Sequence, residues 1–520
     1  MSLIRSSICV FITLSLSGCG GSNNDKSSTP PVASDLEWKQ GTFQDQSLFK
    51  DFCANPRSGS FPDKNGSELH EKLWLRSWSN DTYLWFDEIV DNNPNTFSLV
   101  DYFEQLKTNE QTPSGANKDN FHFSMSTEEW EQRNQSGASL GYGARFEVIN
   151  ATPPRKVVVA YIEPNSPASE ASIRRGDVIQ TVNGVDVINS NSESDIAIIN
   201  SALFPISDDN NYSFEFARPN LGIVFGVTMT PSVVVSSPVH NTKVIDTETG
   251  KVGYFQFNRH IATAEKELFD SMSYLNEKNV TDLIVDLRYN GGGLLALASQ
   301  LAYMVAGSNS QTSTFELLNF NDKHPTINPI TGQTIQPIPF YNVGLDFSLA
   351  PNTLLPSLDL QRVFVLTTDS TCSASEAFMN GLKGIDVEVI QIGGKTCGKP
   401  YGFYPAPNCG TTYFTIQFQG VNNKGFGDYS EGFSPNSNPI TGDQLHGCSV
   451  LDDFSHQLGD NNEALLKAAL QYRNNQTCPQ PNNTSKLALS RNKELSGKAI
   501  QDRPILKFES IMQNKVLISH

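Results

Sequence analysis

Histidine is scarce in this chain. There are eight in 520 residues, scattered and without an HExxH pair, which removes the helical zinc-hydrolase arrangement that needs two histidines one turn apart. No CxxC and no cysteine–histidine spacing suits zinc either, so no metal site is expected, and nothing in the sequence asks for a cofactor. Basic residues are outnumbered, 38 Lys and Arg against 55 Asp and Glu, for a formal net charge of −17. Such a surface repels phosphate backbones, and nucleic acid is not an expected partner. The apolar run near the start, Ile8 to Leu16, falls far short of the ~20 residues that span a bilayer.

What is present points elsewhere. Apolar residues make up 38% of the chain and aromatics 10%, enough for folded cores. At about 100–200 residues per domain, the length calls for two to four domains. A basic start (Met1 to Arg5), the short apolar run and Leu16-Ser17-Gly18-Cys19 read as a signal peptide over 1–18. The small residues before cysteine resemble the lipobox of bacterial lipoproteins. That resemblance implies a lipidated Cys19, a membrane anchor, and a place in the cell envelope on the periplasmic side. The plain alternative is a secretory signal with a chance cysteine. Residues 19–35, rich in Ser, Asn and Pro, read as a linker. Six further cysteines remain at 53, 372, 397, 409, 448 and 478. An even number in an exported protein suggests disulfides, without choosing among the possible pairings.

Residues 36–130 read as a helical domain, with Leu73, Trp74, Trp78, Tyr83, Leu84 and Trp85 spaced to place several on one helical face. The stretch 139–232 is β-rich. A strand at Val157–Ile162 is followed by Ser166-Pro167-Ala168, Arg175-Gly176-Asp177-Val178-Ile179 and Asn183-Gly184, the last a hairpin signal. From 235 to 475 strands and helices alternate, as in an α/β core. Strands are expected at 251–257, 283–287, 363–366 and 387–392, and helices at 294–304 and 374–382. The 476–520 segment has no clear assignment.

Three segments of the core carry chemistry. Ser370-Thr371-Cys372-Ser373-Ala374-Ser375-Glu376 stands where a buried strand gives way to a helix. A hydroxyl there sits beside free N–H groups and the positive helix end, although serine is also an ordinary cap. No GxSxG elbow frames Ser373, and no histidine is close to it in sequence. A lysine can act as base if desolvation lowers its pKa. Gly393-Gly394-Lys395-Thr396-Cys397-Gly398-Lys399 supplies one beyond the next strand. Asp286-Leu287-Arg288-Tyr289-Asn290-Gly291-Gly292-Gly293 is a glycine turn whose N–H groups can hold an oxyanion, or simply a tight strand–helix connection.

Together these segments resemble the tail-specific, or C-terminal processing, serine peptidases (family S41), with a PDZ domain before the protease core. The resemblance implies a multidomain α/β protein with an N-terminal helical domain, a PDZ-like domain and a ClpP/crotonase-like core. It implies Ser373 as nucleophile, Lys399 as general base, and an oxyanion hole from Gly292 or Gly293 and Ala374. Some members orient the lysine with a glutamine four residues later, where this chain has Phe403. Others use the Glu of the serine segment, which selects Glu376 here. The family's proline in the glycine turn is Gly291. Leu140-Gly141-Tyr142-Gly143 stands at the PDZ carboxylate-binding loop, so the expected partners are proteins or peptides with free, apolar C-termini. If Ser373 and Lys399 meet, Cys372 and Cys397 come close enough to bond, with Cys397–Cys409 the competing pair. The competing function is a non-proteolytic PDZ scaffold or ligand-binding protein on the same fold.

Overall fold

The computed structural model describes residues 36–480 and the two-residue strand Asn514–Lys515 beside Gly293–Leu294. The expected signal peptide, Cys19, the linker to residue 35 and nearly all of the C-terminal segment lie outside the described residues.

The core is a seven-stranded sheet ordered Val239–Thr247, Gly250–Phe257, Asp282–Asp286, Arg362–Thr367, Glu388–Gly393, Gln444–Ser449, Ser434–Asn436. Its first two strands form an antiparallel hairpin, and every later pairing is parallel. Buried parallel strands have two apolar faces, and alternate residues serve each. Val285, Val363 and Val365 pack with Leu268, Leu301 and Phe378 from the helices Ala264–Glu277, Leu295–Ala306 and Ala374–Gly384. Ile284, Phe364 and Ile390 point the other way, onto Leu465 and Leu466 of Ala464–Asn475. Each such side chain, fully buried, contributes about 1.5–3 kcal/mol. The strands and helices named from the sequence fall within a residue or two of these bounds.

Register decides where the loops leave. Asp286 pairs with Leu366, and Leu366 with Ile392. Three neighbouring strands therefore end level, and the three chemistry-bearing segments emerge side by side at their carboxyl ends, the usual place for a site in such sheets.

The β-rich unit has a sheet ordered Ile223–Met229, Tyr212–Arg218, Val178–Val182, Lys156–Ile162, Ala144–Asn150. Its core includes Val157, Val159, Ile179, Phe214 and Phe216. Asn183 and Gly184 both take positive φ (46° and 79°) between the paired Val182 and Val185, as a tight hairpin turn requires.

The N-terminal region departs from expectation. The helix Glu68–Thr82 carries Leu73, Trp74 and Trp78, all buried, with the two indoles stacked at 5.3 Å. It ends at Tyr83, whose backbone is extended (ψ 135°), so Tyr83, Leu84 and Trp85 do not continue that face. The region is also stitched to the core. Phe123–Ser126 pairs with Thr411–Phe414, and Cys53 bonds to Cys409.

One buried ionic cluster anchors the strand ends. Arg288, fully buried, donates to Asp286, to both oxygens of Glu463 and to Asp452. Asp452 Oδ1 also accepts from Arg175 of the β-rich unit at 2.6 Å. Burial works to raise the Asp452 carboxyl, and Arg288 and Arg175 overcome it, holding it below the usual carboxylate range. Removing one partner of such a cluster leaves buried charge uncompensated. Arg288→Met should cost roughly 3–5 kcal/mol in chemical denaturation, and a loss within experimental error would show that the cluster does not anchor the sheet.

Candidate active site

The chain at Ser373 is bent against its own preference. Ser373 has φ 61° and ψ −115°, a sparsely populated region for a residue with a Cβ, of the kind held only by over-determined surroundings. It is the N-cap of the helix Ala374–Gly384, so the capping reading and the nucleophile reading describe the same position. It is fully buried. The segment before it is tied to the glycine turn. Thr371 Oγ1 donates to the Leu287 carbonyl, the Cys372 N–H to the Asn290 carbonyl and Ser375 Oγ to the same carbonyl.

Glu376 holds the serine and lysine segments together. Its Oε2 accepts the N–H of Ser373 at 2.8 Å and that of Lys399 at 2.9 Å. Its Oε1 accepts Thr396 Oγ1–H at 2.6 Å and the Gly398 N–H at 2.9 Å. Burial raises the Glu376 pKa, and these donors oppose the rise. Glu376 thus meets the Lys399 segment through its backbone N–H groups. Cys372 and Cys397 form a disulfide with Cα atoms 5.2 Å apart. Cys409 pairs with Cys53 rather than Cys397, and Cys448 pairs with Cys478. Among the described residues, the one group of metal-ligand types close enough to share an ion is Cys372, Glu376 and Cys397, and its sulfurs are in that disulfide.

Lys399 is fully buried. Burial pulls its amine down to about 7, against the opposing pull of Asp119 and Glu376. Its Nζ lies 4.3 Å from the centre of the Phe403 ring and 4.9 Å from that of Phe121. Lys395, the other lysine of the segment, is half exposed and faces Glu431 at 3.7 Å.

The glycine turn faces Ser373. A Cβ on Gly292 would fall 2.7 Å from the Ala374 nitrogen and 3.0 Å from the Ser373 Cβ, and one on Gly293 2.1 Å from the His260 carbonyl oxygen. Both positions have φ above 100°, so only glycine fits. The Gly292 N–H, one of the expected oxyanion donors, is engaged by Asn290 Oδ1 at 2.8 Å. The expectation named Gly292 or Gly293 together with Ala374, and of the two glycines Gly292 is the one whose N–H already donates to a side chain. Asn290 Oδ1 also meets His260 Nδ1 at 3.1 Å, and burial lowers the pKa of that histidine to about 4. The imidazole is therefore neutral, and it donates from Nδ1.

Leu140, Gly141, Tyr142 and Gly143 line a cleft of about 390 Å³ together with Arg145 and Arg259. Tyr142 itself is buried, with its hydroxyl donating to the Ala202 carbonyl, so its side chain belongs to the core of the β-rich unit. Leu140 and Gly141 pair with Val233 and Ser232.

Sequence reasoning missed Asp119, Phe121, His260 and Asp452. Each reaches the site or its supports from a distant segment, and no local motif flags it.

Residues 251–407 match the model of Peptidase family S41, and residues 128–202 match that of the PDZ domain. The carboxyl-terminal-processing protease of Picosynechococcus sp. is 25% identical over 266 residues, covering 51% of this chain and 55% of that protein. The chloroplastic C-terminal processing peptidase of Tetradesmus obliquus is 26% identical over 185 residues, 34% of this chain and 38% of that one. The chain thus spans about half the length, or less, of these relatives. A putative S41 protease from Bacteroides fragilis superposes with a TM-score of 0.58 at 23% identity, over 81% of this chain and 100% of the other. The fold is that of an S41 protease with a PDZ domain. Residues 128–202 are thus similar to PDZ domains and residues 251–407 to S41 peptidases, in the order that the sequence motifs imply.

Glu376→Gln tests the clasp. An amide NH2 would face two donors that now meet an oxygen. The denaturation midpoint should fall, with a loss of roughly 1–3 kcal/mol. An unchanged midpoint would show that the segments stay together without the carboxylate.

Proposed function

We propose that this chain is a serine endopeptidase that works with Ser373 and Lys399. The observation that carries the reading is a fully buried lysine amine, lowered to about 7, in a segment whose backbone shares one carboxylate oxygen with Ser373. Ser373 Oγ attacks the peptide carbonyl as Lys399 takes its proton. The N–H groups of Ala374 and Gly293 receive the oxyanion at the positive end of the helix. Lys399 then gives the proton to the leaving amine, and water clears the acyl-enzyme by the reverse route. Burial serves the chemistry because an ammonium cannot accept a proton.

Substrates are proteins or peptides chosen by apolar C-terminal tails, bound beside Leu140–Gly143 as an added strand. The basic start, the lipobox-like Cys19 and the disulfides support export and lipid anchoring in a bacterial envelope.

Ser373→Ala should abolish cleavage of a peptide with an apolar free C-terminus while leaving the fold intact. Near-normal turnover would sink the assignment. In the unmodified protein, kcat/KM should rise with pH through about 7, because the neutral, accepting form of Lys399 predominates above that value. Lys399→Arg should be inactive at every pH, since a guanidinium keeps its proton. For the tail site, a peptide with a free C-terminus should bind the Ser373→Ala protein more tightly than its amidated form in calorimetry. Equal affinities would remove the carboxylate from recognition.

A further inference from the structure

The glycine turn beside Ser373 is gripped by His260. The His260 N–H donates to the Gly292 carbonyl at 2.8 Å, and the His260 carbonyl accepts the Leu294 N–H at 2.7 Å. Those two bonds make a parallel bridge between His260 and Gly293. In such a bridge the middle residue sends its own N–H and carbonyl to the opposite side. Gly293 therefore points both groups away from His260, along the edge where Asn514–Lys515 pairs.

The His260 side chain adds a third bond. Its Nδ1 lies 3.1 Å from Asn290 Oδ1, the oxygen that also accepts the Gly292 N–H at 2.8 Å, while Asn290 Nδ2 donates to the Phe257 carbonyl at 2.9 Å. An amide turned the other way would set its NH2 against two donors and its oxygen against a carbonyl. His260 and Asn290 are fully buried, where such a mismatch is costly. The buried Nε2 of His260 meets no hydrogen-bond partner among the described residues, so the polar character of this ring serves Asn290. Gly292 is buried with its N–H and carbonyl both engaged, whereas Gly293 is half-buried.

We propose that His260 is a positioning residue of the oxyanion turn: with Asn290 it draws the Gly292 N–H inward and so presents Gly293 as the turn's donor to the reacting carbonyl. The inference rests on the reading of Ser373 as nucleophile. His260 acts through Asn290 and the turn, not on the substrate. An oxyanion donor matters once charge develops on the carbonyl oxygen, so misplacing it lowers kcat and leaves substrate binding alone.

The test compares His260→Asn with His260→Leu in the full chain. The two replacements have nearly the same shape and leave the same space beside Phe257, whose ring centre lies 4.4 Å from that of the imidazole. Only asparagine puts a donor near the Nδ1 position. With a peptide that has an apolar C-terminal tail, His260→Leu should lower kcat by roughly 100-fold at unchanged KM, and His260→Asn should keep kcat at least about tenfold above that of the leucine variant. Equal losses in the two variants, an unmoved kcat, or a change confined to KM would overturn the inference and leave His260 a merely structural residue. A second measurement needs no substitution. The unmodified protein, carrying isotope-labelled glycine, is treated with a peptide boronic acid, whose boron bonds to Ser373 Oγ and carries an oxygen into the oxyanion position. In NMR spectra the Gly293 amide proton should move downfield while the Gly292 amide stays in place. A shift of Gly292 in place of Gly293 would overturn the inference even if a variant failed to fold. Absence of both turnover and a Ser373 adduct in the unmodified protein would instead remove Ser373 as nucleophile, and the inference with it.

Discussion

Taking an ammonium group out of water is costly, and this structure takes one out completely at Lys399. The cost is met by letting the proton go. Burial lowers the amine to about 7, so the same desolvation that would destabilise a charged lysine leaves an amine able to accept a proton near neutral pH, as the proposed role of general base requires. Everything around it maintains that dryness. The Phe121 and Phe403 rings face the amine, and Phe123, Phe403, Phe414 and Trp130 build the apolar wall behind them. That wall exists because the N-terminal region is pinned to the core by a strand pairing and by Cys53–Cys409. The N-terminal region is therefore part of the site and not an appendage to it.

The second constraint is convergence. Three loops must hold sub-ångström geometry without a rigid element of their own. Level strand ends bring them together, and then buried polar bonds lock them to one another: Thr371 to Leu287, Cys372 to Asn290, Cys397 to Thr371, Glu376 to both Ser373 and Lys399. Arg288 does the same beneath them, and through Asp452 it shares a charge network with Arg175 of the PDZ domain. Tyr289 extends the network, receiving a hydrogen bond from Arg175 at 2.6 Å. The PDZ-like unit and the turn that faces the serine thus share one set of buried ions.

The sequence made the local features legible. Buried strands wrote themselves as apolar runs, Asn183-Gly184 as a hairpin, and Ser373, Lys399 and the glycine turn as three motifs in order. Legibility ended where a residue's meaning depends on partners far along the chain. Glu376 was visible, but not that its oxygens bind backbone N–H groups, because a carboxylate's partners are set by the folded loops. Gly292 was visible, but not the Asn290 side chain that takes its N–H. Tyr83 looked like part of a helix, whereas an extended turn releases it to hold Asp119. Phe121 lies in a stretch without a motif and reaches Lys399 across nearly 280 residues of chain. No periodicity encodes such a contact.

The central claim is that burial of Lys399 makes Ser373 a nucleophile, and the most direct measurement is covalent labelling of that serine. Full-length protein is treated with a fluorophosphonate across a pH series and the adduct is mapped by mass spectrometry. The account predicts one adduct, on Ser373, formed at a rate that rises through about pH 7 and lost in Lys399→Arg. Labelling that persists in Lys399→Arg, a rate indifferent to pH, or an adduct on another serine would contradict it.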